Sequence, residues 1–595
     1  MRVLMLVSEA PPIKSGIARV AGELTERLGR LGVEIDVLSA NEIPRATFKE
    51  FRFSSLSLRW PEIQKRLGEY DILHIHGSVP TFSEAALLLG RLGSRLVRGV
   101  SAVVYTHHCD IDLEGLELTV RSYNRMHRRL LRLADHVVAS TPSYALQLEA
   151  VARPGRVSAV PFGVDAARFS SKSRKPERFN VLFVGQLRPY KGVDVLLRAW
   201  RNVDNADLHI VGTGHEREHL AALTEELGLS SVHLHGAVSD RELADYYSKA
   251  HVLVLPSTRK AEAFGLVLLE GMAAGCVPVA SRLPGVTDVV GDTGMTFPVG
   301  DSDALADVLL QLRDDVEMRR QLSVLAEERA LIFDWDHTAQ AYLDIYKQAY
   351  LGRLLELSMG RGEAGTETLQ EWLVEVARQT DADRASLMLW PAGEHEMRIA
   401  ASVGVKPVVV ANTSLLIGQR IAGHVAQTGR PLLVQKGGMP ETVPLYEAEP
   451  DLVSSLVLPI RFAGSTVGVL NLARGEERPP FSDMDRRWLH RLSYQIAPLL
   501  GGIRLNSYGM AVDSVDEESR RVPYVVASNA SSVTGQVEID DDAMQPAVRV
   551  PVSGYADVGY RPEKMSAQDV QDVISIVTEG WGGHVSQGAG LEWAG

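Results

Sequence analysis

The chain has 595 residues, of which 45% are hydrophobic and 23% are charged, a composition typical of a soluble protein with three or four domains. Its formal net charge of −13 argues against a nucleic-acid-binding chain, which would need a broad basic surface to displace counterions from phosphates. The two cysteines, Cys109 and Cys276, are too few and too far apart for a disulfide framework or a cysteine-based zinc site, so we expect a reducing, cytoplasmic setting.

The first apolar run, VLMLV, is short and stops before two prolines, so we interpret it as a strand and not as a secretory signal. No uninterrupted apolar run in the sequence reaches the roughly 18 residues that a membrane-spanning helix needs. Any contact with a membrane is therefore expected to be peripheral.

Short apolar runs and helical patterns alternate over residues 1–165, which is the rhythm of a parallel sheet covered by helices on both faces. The runs include EIDVLS, DILHIH, AVVYTH and a last strand expected at 157–163. After a polar, basic spacer the rhythm restarts over residues 166–350 with VLFVGQL, DLHIVGTG, VHLHGA and HVLVLPS. The sequence thus predicts an α/β fold of two Rossmann-like, doubly wound domains that bind ligands in the cleft between them, at the carboxyl ends of the strands.

Near residue 350 the pattern changes to a helix followed by the runs ASLMLW, MRIAAS, SSLVLPIRF and STVGVLNLA. Antiparallel alternation with flanking helices predicts an α+β domain over residues 366–503. Residues 504–595 contain the acidic run EIDDD and a glycine-rich end, and SAQDVQDVISIVTEG is their one plausible helix. We expect this last region to be partly disordered and assign it no function.

Two glutamates, Glu262 and Glu270, flank the start of an apolar run that predicts a helix beginning near Gly265. Glu262 then precedes the helix, and Glu270 lies one to two turns inside it. The backbone N–H groups at the helix start form an expected anion site, made by Phe264, Gly265, Leu266 and Val267. A phosphate there leaves both carboxylates to bind sugar hydroxyls, which matches a nucleotide sugar. The alternative is a capped helix with a solvated glutamate.

A second strand, glycine turn and helix, VLFVGQLRPYKGVDVLLRAW, carries Arg188 and Lys191 in its loop. Two cations beside a helix N-terminus can neutralise a leaving diphosphate without a metal ion. The alternative is a pair of solvated loop cations.

Six motifs in this order resemble those of family 4 retaining glycosyltransferases with the GT-B fold. They are PPIKSGIARVAGELTERLGRLGVEIDVLS, VVYTHHCDI, VPFGVDAARF, FVGQLRPYKGVDVLLRAW, HIVGTGHE and EAFGLVLLEGMAAGCVPVAS. The resemblance covers about residues 1–350 and includes a helix, WDHTAQAYLDIYKQA, similar to the one that crosses back to the first domain in this family. It implies that residues 1–165 form an acceptor-side domain and residues 166–350 a nucleotide-sugar domain.

The resemblance also implies roles for individual residues. Glu270 would bind the ribose hydroxyls, and Glu262 would hold the donor sugar near its anomeric carbon. Lys191, with Arg188 as helper, would face the diphosphate. His108 would lie close to the transferred sugar.

Two glycines complete the expected substrate site. Gly16, in the loop after the first strand, would admit the phosphates and the acceptor, and Gly185 ends the strand VLFV of the second domain. The family usually has arginine directly after that glycine, whereas this chain has Gln186. Whether Arg188 replaces the missing charge is therefore open.

Retention in the family implies that the acceptor attacks the face that the diphosphate leaves, with the diphosphate helping to take the acceptor proton. No side-chain nucleophile is then required. We therefore do not expect Glu262 to act as the covalent nucleophile that carboxylates provide in retaining hydrolases.

Two further motifs are interpreted without a cofactor. HHCDID, at 107–112, looks like a metal site, but neighbouring side chains at a strand end point to opposite faces, so His107, His108 and Cys109 cannot converge on one ion. GTG, at 212–214, lacks the third glycine of a dinucleotide fingerprint. We expect no metal and no NAD, and the nucleoside diphosphate sugar is a donor substrate.

The segment RSYNRMHRRLLRLAD has five arginines within residues 121–132. The resemblance implies contact with anionic lipid, as basic helices make in relatives that use lipid-linked acceptors. The alternative is the solvated basic face of a surface helix.

Residues 366–503 resemble a GAF domain through RASLMLW, ASVGV, GQRIAGHVAQTGRPLLVQ, SSLVLPIRFAGSTVGVLNLAR and FSDMDRRWLHRLSYQIAPLL. That family binds cyclic nucleotides, tetrapyrroles and other small molecules, or serves for dimerisation. Neither cysteine lies in the module, which excludes a thioether-linked bilin there. A ligand sensor of unknown ligand and a homodimer contact both stay open, and His424 is expected on the surface.

The sequence thus predicts a retaining, metal-independent glycosyltransferase that moves a sugar from a nucleoside diphosphate sugar to a glycan or glycolipid acceptor, with a GAF module for regulation or dimerisation. The alternative is a signalling protein that binds the nucleotide sugar without turnover, which Gln186 keeps open. A nucleotide-sugar epimerase of the same fold has no support in the motifs.

Overall fold

The computed structural model describes the chain in segments: residues 1–13, 15–39, 45–48, 51–54, 68–79, 82–96, 102–111, 117–153, 155–169, 175–360, 366–390, 396–435, 452–462, 465–500, 504–505 and 511–512. These residues form two compact units, of which the first contains residues 1–99 and 103–343 and the second contains the described residues from Asp344 onward. The helix expected in SAQDVQDVISIVTEG lies outside the described residues.

The first unit begins with a six-stranded sheet in the order β2-β1-β5-β6-β7-β8. Its strands are β1 (Arg2–Val7), β2 (Glu34–Ser39), β5 (Ile72–Gly77), β6 (Ala102–His107), β7 (His136–Ala139) and β8 (Val157–Ala159), and β3 (Arg45–Phe48) and β4 (Phe51–Ser54) form a separate hairpin. Every residue of β5 and β6 is buried, as expected for central strands covered on both faces. The last strand ends at Ala159, and not at 163 as predicted, because Pro161 has no N–H to continue the ladder.

Among the described residues, five α-helices belong to this first domain. They are α1 (Gly16–Arg30), α2 (Ser83–Leu96), α3 (Glu117–Leu130), α4 (Pro142–Glu149) and the short α5 (Ala166–Phe169). The side chain of Ser15 caps α1 by accepting a hydrogen bond from the N–H of Ala18 at 3.2 Å.

A second six-stranded sheet, entirely parallel, has the order β11-β10-β9-β12-β13-β14. Its strands are β9 (Phe179–Val184), β10 (Ala206–Val211), β11 (Val232–Gly236), β12 (Val252–Leu255), β13 (Val277–Ser281) and β14 (Met295–Phe297). Its helices are α6 (Val193–Trp200), α7 (Arg217–Glu226), α8 (Asp240–Lys249), α9 (Leu266–Ala273), α10 (Pro284–Val290), α11 (Ser302–Asp314) and α12 (Val316–Ala330). Trp200 lies fully inside the core between this sheet and its helices.

A long helix, α13 (Trp335–Gly360), follows the second domain and contacts the first. The Thr338 hydroxyl donates to the Pro161 carbonyl oxygen at 2.8 Å, and the Tyr342 and Thr106 hydroxyls are 2.9 Å apart. The helix has 26 residues, so it runs ten residues past the 350 at which the sequence pattern changes.

The second unit is built around an antiparallel sheet in the order β17-β16-β15-β20-β19-β18. Its strands are β15 (Arg384–Leu389), β16 (Glu396–Val403), β17 (Ser414–Leu416), β18 (Leu432–Gln435), β19 (Leu452–Phe462) and β20 (Ser465–Gly475). Its helices, after the second half of α13, are α14 (Thr366–Gln379), α15 (Pro407–Asn412), α16 (Arg420–Thr428) and α17 (Asp483–Leu500). Two-residue strands, β21 (Arg504–Leu505) and β22 (Ala511–Val512), pair beyond α17.

The core of the second unit includes residues of α13. Leu351 and Leu355 are fully buried in it together with Trp372 and Trp488. The indole N–H of Trp372 also donates to the Leu351 carbonyl oxygen at 3.0 Å. The end of α13 is therefore part of the second unit's core.

Candidate functional site

The strand order of the second sheet reverses between β9 and β12, and the loops that follow these two strands meet at the carboxyl edge of the sheet. A backbone hydrogen bond of 2.7 Å from the Thr258 N–H to the Tyr190 carbonyl oxygen joins the two loops. Such a switch point is where open α/β sheets bind ligands. The expected residues Lys191 and Glu262 lie in these loops.

The ammonium of Lys191 forms an ion pair with the Glu262 carboxylate. Both side chains are mostly buried, with 15% and 11% of their surface exposed. The Ser257 hydroxyl donates to the same Glu262 oxygen at 3.2 Å. Burial acts to lower the pKa of Lys191, but the Glu262 carboxylate and the Tyr190 oxygen outweigh it and raise the net pKa. Lys191 therefore remains a cation.

Gly192 makes the approach of the two loops possible. Its φ is +65°, and a Cβ atom built on it would lie 2.1 Å from the Pro256 carbonyl oxygen. Only glycine fits this position.

The helix expected near Gly265 is α9, which begins at Leu266. Gly265 precedes it with a φ of +79°, and its carbonyl oxygen accepts from the Leu268 N–H at 2.8 Å. The N–H groups of Leu266 and Val267 belong to the first turn, where an α-helix supplies no acceptor. Phe264, ahead of this turn, is buried.

Glu270 lies inside α9, is 4% exposed, and receives a partner on each carboxylate oxygen. Arg19, from α1 of the first domain, forms an ion pair with Oε1. The Tyr247 hydroxyl donates to Oε2 at 2.6 Å. Burial and the nearby carboxylate hold the pKa of Tyr247 well above its ordinary value, so the phenol keeps its proton.

Gln186, which stands where the family has arginine, contacts Arg188. The Arg188 Nε donates to the Gln186 side-chain oxygen at 2.9 Å. Arg188 lies three residues before Lys191 in the same loop, and its positive charge acts to lower the pKa of Lys191. Arg188 therefore supplies positive charge to the same loop, held by the residue that replaces the family's arginine.

His108 directly follows β6 and contacts the rings of His76 and Phe162, both in the first domain. Its ring stacks on Phe162 with 5.6 Å between centroids, and Phe162 in turn meets Phe264 edge-on at 5.0 Å. The Nε2 atom of His108 lies 2.9 Å from Nδ1 of His76 at the end of β5. Burial, followed by the nearby His107, lowers the pKa of His108 to about 3, so the ring is neutral.

The two expected glycines differ in their surroundings. The prediction that Gly16 lies in the loop after the first strand is wrong. Gly16 is the first residue of α1, because Ser15 caps the helix directly before it. A Cβ atom on Gly16 would meet no described atom within 4 Å. At Gly185 a Cβ atom would lie 3.3 Å from the Phe183 ring.

The HHCDID segment forms an ion-pair network within the described residues. Asp110 accepts from Arg128, and its Oδ1 lies 3.5 Å from His107 Nε2. Across the parts of the chain that the structure describes, no three His, Cys, Asp or Glu side chains are arranged to hold a metal ion.

The GTG segment is explained by backbone packing. Gly212 has a φ of +145°, and a Cβ atom on it would lie 1.8 Å from the Gly185 carbonyl oxygen. The glycine therefore serves the close approach of the two strand ends.

Four residues of the site were not predicted from the sequence: Arg19, His76, Tyr247 and Ser257. Ser257 and His76 follow or end buried strands, and that position was an available signal. Arg19 and Tyr247 lie on helices, where no local pattern distinguishes them from other helical residues.

The remaining expectations concern surface helices. In α3 the side chains of Arg121, Arg125 and Arg129 are exposed and spaced by four, so they share one face. Among the described residues no helix is both long enough and apolar enough to cross a membrane. His424 lies on α16, partly exposed, as expected for an amphipathic surface helix.

Family models match three consecutive regions of the chain. Glycosyltransferase Family 4 matches residues 14–168, Glycosyl transferases group 1 matches residues 165–329, and the GAF domain matches residues 365–500. These regions coincide with the two doubly wound domains and the antiparallel domain.

Similar proteins cover the first two regions. The chain is 32% identical over 325 residues to a D-inositol 3-phosphate glycosyltransferase from Nocardioides sp., a match that covers 48% of this chain and 69% of that protein. It is 31% identical over 318 residues to the protein of the same name from Paenarthrobacter aurescens, with 49% and 76% covered. The structure of a sucrose-phosphate synthase from Thermosynechococcus elongatus superposes with a TM-score of 0.50 at 22% identity, over 59% of this chain and 99% of that one, which concerns the fold alone.

Proposed function

Since the chain belongs to the family 4 glycosyltransferases, we propose that it transfers a sugar, with retention, from a nucleoside diphosphate sugar to a glycan or glycolipid acceptor. The GT-B fold and the GAF domain expected from the sequence are confirmed. The observation that carries the proposal is the Lys191–Glu262 pair at the switch point of the second sheet, beside the helix that holds Glu270.

Each part of the donor has a matching group in this proposal. The diphosphate lies at the start of α9, against the N–H groups of Leu266 and Val267, with the Lys191 ammonium beside it. Glu270 accepts hydrogen bonds from the ribose hydroxyls. It can do so with Arg19 and Tyr247 in place, because a carboxylate has about four acceptor positions.

The transfer step follows from the same groups. The bond between the anomeric carbon and the diphosphate oxygen breaks, and its electron pair goes to the diphosphate. The acceptor oxygen bonds to the anomeric carbon from the same face, and its proton passes to the leaving diphosphate. Lys191 and Arg188 stabilise the developing charge, so the proposed step uses no metal ion. Glu262, held by Lys191 and Ser257, binds the sugar and does not attack it.

The part of the proposal that concerns a lipid-linked acceptor is supported by the exposed face of α3. Arg121, Arg125 and Arg129 present three cations there, and Leu118 and Met126 are 81% and 47% exposed. A basic face with exposed apolar residues suits peripheral contact with an anionic bilayer. Sedimentation with phosphatidylglycerol vesicles should therefore capture the protein, and replacing the three arginines by glutamine should prevent it. Equal capture by phosphatidylcholine vesicles would contradict this part of the proposal.

The GAF domain is proposed to regulate the transferase or to pair two copies of the chain. Sedimentation equilibrium of the full chain tests pairing, because a dimer has twice the mass of the chain and dissociates only when the concentration falls to its Kd.

The experiment that tests the function is thermal unfolding of the full chain with UDP-, GDP- and ADP-sugars, each compared with Glu270→Gln. A ligand at 100 times its Kd stabilises the folded state by about 2.7 kcal/mol. We expect one nucleotide class to raise the Tm of the wild type and not of the variant, and that donor to support transfer. Stabilisation without turnover would instead support a signalling protein that only binds the donor.

A further inference from the structure

Two parallel strands of the first domain place a row of polar side chains against each other at the edge of the donor site. His74 and His76 point to the same face of β5, and Thr106 and His108 point to the same face at the end of β6. The His74 Nε2 atom is 2.8 Å from the Thr106 hydroxyl, and His76 Nδ1 is 2.9 Å from His108 Nε2. The His74 and His76 rings are 4.3 Å apart.

The row is buried, so its histidines are neutral. His74 and His76 are 0% and 1% exposed. Burial, with smaller contributions from neighbouring histidines, lowers the pKa of His74 and His108 to about 3 and that of His76 well below its ordinary value. A neutral imidazole carries a single N–H, on either Nδ1 or Nε2.

The surroundings of His76 decide which nitrogen carries that proton. Its Nε2 atom is buried and has no hydrogen-bond partner among the described residues. If His108 donated to His76, the proton of His76 would sit on this Nε2 as a buried N–H without an acceptor. If His76 donates from Nδ1, only an unprotonated nitrogen is left without a partner. Buried N–H groups without acceptors are the rarer and more costly case.

We propose that His76 is a positioning residue, whose Nδ1–H donates to His108 Nε2 and so holds His108 as the Nδ1–H tautomer. His108 then offers the transferred sugar a hydrogen-bond donor and cannot act as a base through Nε2. This role of His108 rests on the proposed function, whereas the hydrogen bond between the two rings does not.

The tautomer can be measured without any substrate. Full-length protein labelled with ¹⁵N in its histidines gives long-range ¹H–¹⁵N correlations that distinguish a protonated ring nitrogen from an unprotonated one. The His108 signals are identified by their absence in His108→Gln. We expect Nδ1 protonated and Nε2 unprotonated in the wild type, with a mixture of tautomers in His76→Leu. Protonation of His108 at Nε2 in the wild type would overturn the proposal, whatever the kinetics.

Kinetics then test whether the tautomer matters for transfer. In His76→Asn the side-chain amide N–H₂ takes the place of Nδ1–H, so this variant should retain the wild-type kcat. His76→Leu fills the space without a donor and should lower kcat about tenfold with little change in the KM for the donor, the loss expected for one hydrogen bond. Equal kcat values for the two variants, both correctly folded by circular dichroism, would overturn the positioning role.

A failure of the proposed function is separately visible. Lys191→Met removes the proposed diphosphate cation and does not touch the histidine row. If transfer survives in Lys191→Met, the proposed donor site is wrong, and the tautomer measurement still decides the hydrogen bond.

Discussion

Arg19 and Glu270, which are 251 residues apart in the sequence, form an ion pair that joins the first doubly wound domain to the second. Burial acts to lower the pKa of the Arg19 guanidinium, but the carboxylate outweighs it and raises the net pKa. The pair therefore orients the Glu270 carboxylate inside α9. A residue proposed to bind ribose is thus held by the opposite domain.

Replacing Arg19 tests this pair. Arg19→Met leaves a buried carboxylate without its cation and should lower the free energy of unfolding by about 1–3 kcal/mol, less than for a fully buried pair because Arg19 is 29% exposed. Arg30→Met is the matched control, since Arg30 pairs with Glu26 on the exposed face of the same helix and should change stability by at most about 0.5 kcal/mol. Urea unfolding of both variants measures the difference. Equal effects would mean that Arg19 contributes no more than a surface cation.

Lys191→Met should reduce transfer at least about a hundredfold, because it removes the charge that stabilises the leaving diphosphate. Turnover with the donor found by thermal unfolding measures this loss. Lys249→Met, which removes an exposed cation paired with Asp245 in the same domain, should leave turnover unchanged. Wild-type turnover in Lys191→Met would exclude Lys191 from the transfer step.

Alanine variants at Gly192 and Gly228 distinguish the cost of a positive φ from the cost of a steric clash. Both have a positive φ, +65° and +68°, but a Cβ atom on Gly228 meets nothing within 4 Å. Gly228→Ala should therefore lose only about 1–2 kcal/mol of stability, the conformational cost of the left-handed region. Gly192→Ala should lose more, and should also lose donor binding, because the Pro256 carbonyl must move. Calorimetry of both variants measures the difference, and similar Tm values would contradict the close approach of the two loops.

Acid should destabilise the first unit through its buried histidines. His74 stays neutral down to a pKa of about 3 when folded but is protonated near its ordinary 6.5 when unfolded. The unfolded chain therefore binds more protons between these values, and stability falls as the pH falls below 6.5, by about 1.4 kcal/mol per pH unit for each such group. His74→Gln should lessen this slope, and His219→Gln, at an exposed position, should not. The Tm measured from pH 7 to pH 5 gives the slope.

Glu149 should have the opposite effect on the pH dependence of stability, because its contribution falls as the pH rises. Burial raises its pKa to about 7, against an ordinary 4.5, while the Gly155 N–H donates to its Oε1 at 2.8 Å. Stability from this group is fully present below pH 4.5 and is lost as the pH rises through 7, because the carboxylate then ionises in a buried site. Glu149→Gln should thus stabilise the protein at pH 8, by up to about 3 kcal/mol, and have little effect near pH 4.5. A gain of equal size at both pH values would contradict ionisation as its cause.

The sequence predicted the features that depend on local pattern. The apolar runs DILHIH and AVVYTH are the buried strands β5 and β6, and the switch point follows from the order of such strands along the chain. The placement of Lys191 and Glu262 around one donor came from the family resemblance, and both residues follow strands of the same parallel sheet. The Arg19 contact could not be predicted, because it depends on how two domains pack, which no local pattern records.

The C-terminal end of α13 could not be predicted from the sequence for a different reason. The sequence pattern changes near residue 350, yet the helix continues to Gly360. A Cβ atom on Gly352 would lie 2.3 Å from the Gln495 side-chain nitrogen, so this glycine lets α17 pack closely. The role of Gly352 is therefore in tertiary packing, which the local sequence pattern does not record.

The course of α13 also limits how the chain can be divided for recombinant work. A gene fragment that starts at residue 365, where the GAF match begins, would encode the whole antiparallel sheet but not Leu351 or Leu355. It would leave an apolar surface open to solvent and the Trp372 indole N–H without its acceptor, which favours aggregation of the expressed fragment. The usable cloning boundary therefore lies within the helix, near Asp344, and any fusion or exchange of this module between enzymes should carry that helical segment with it.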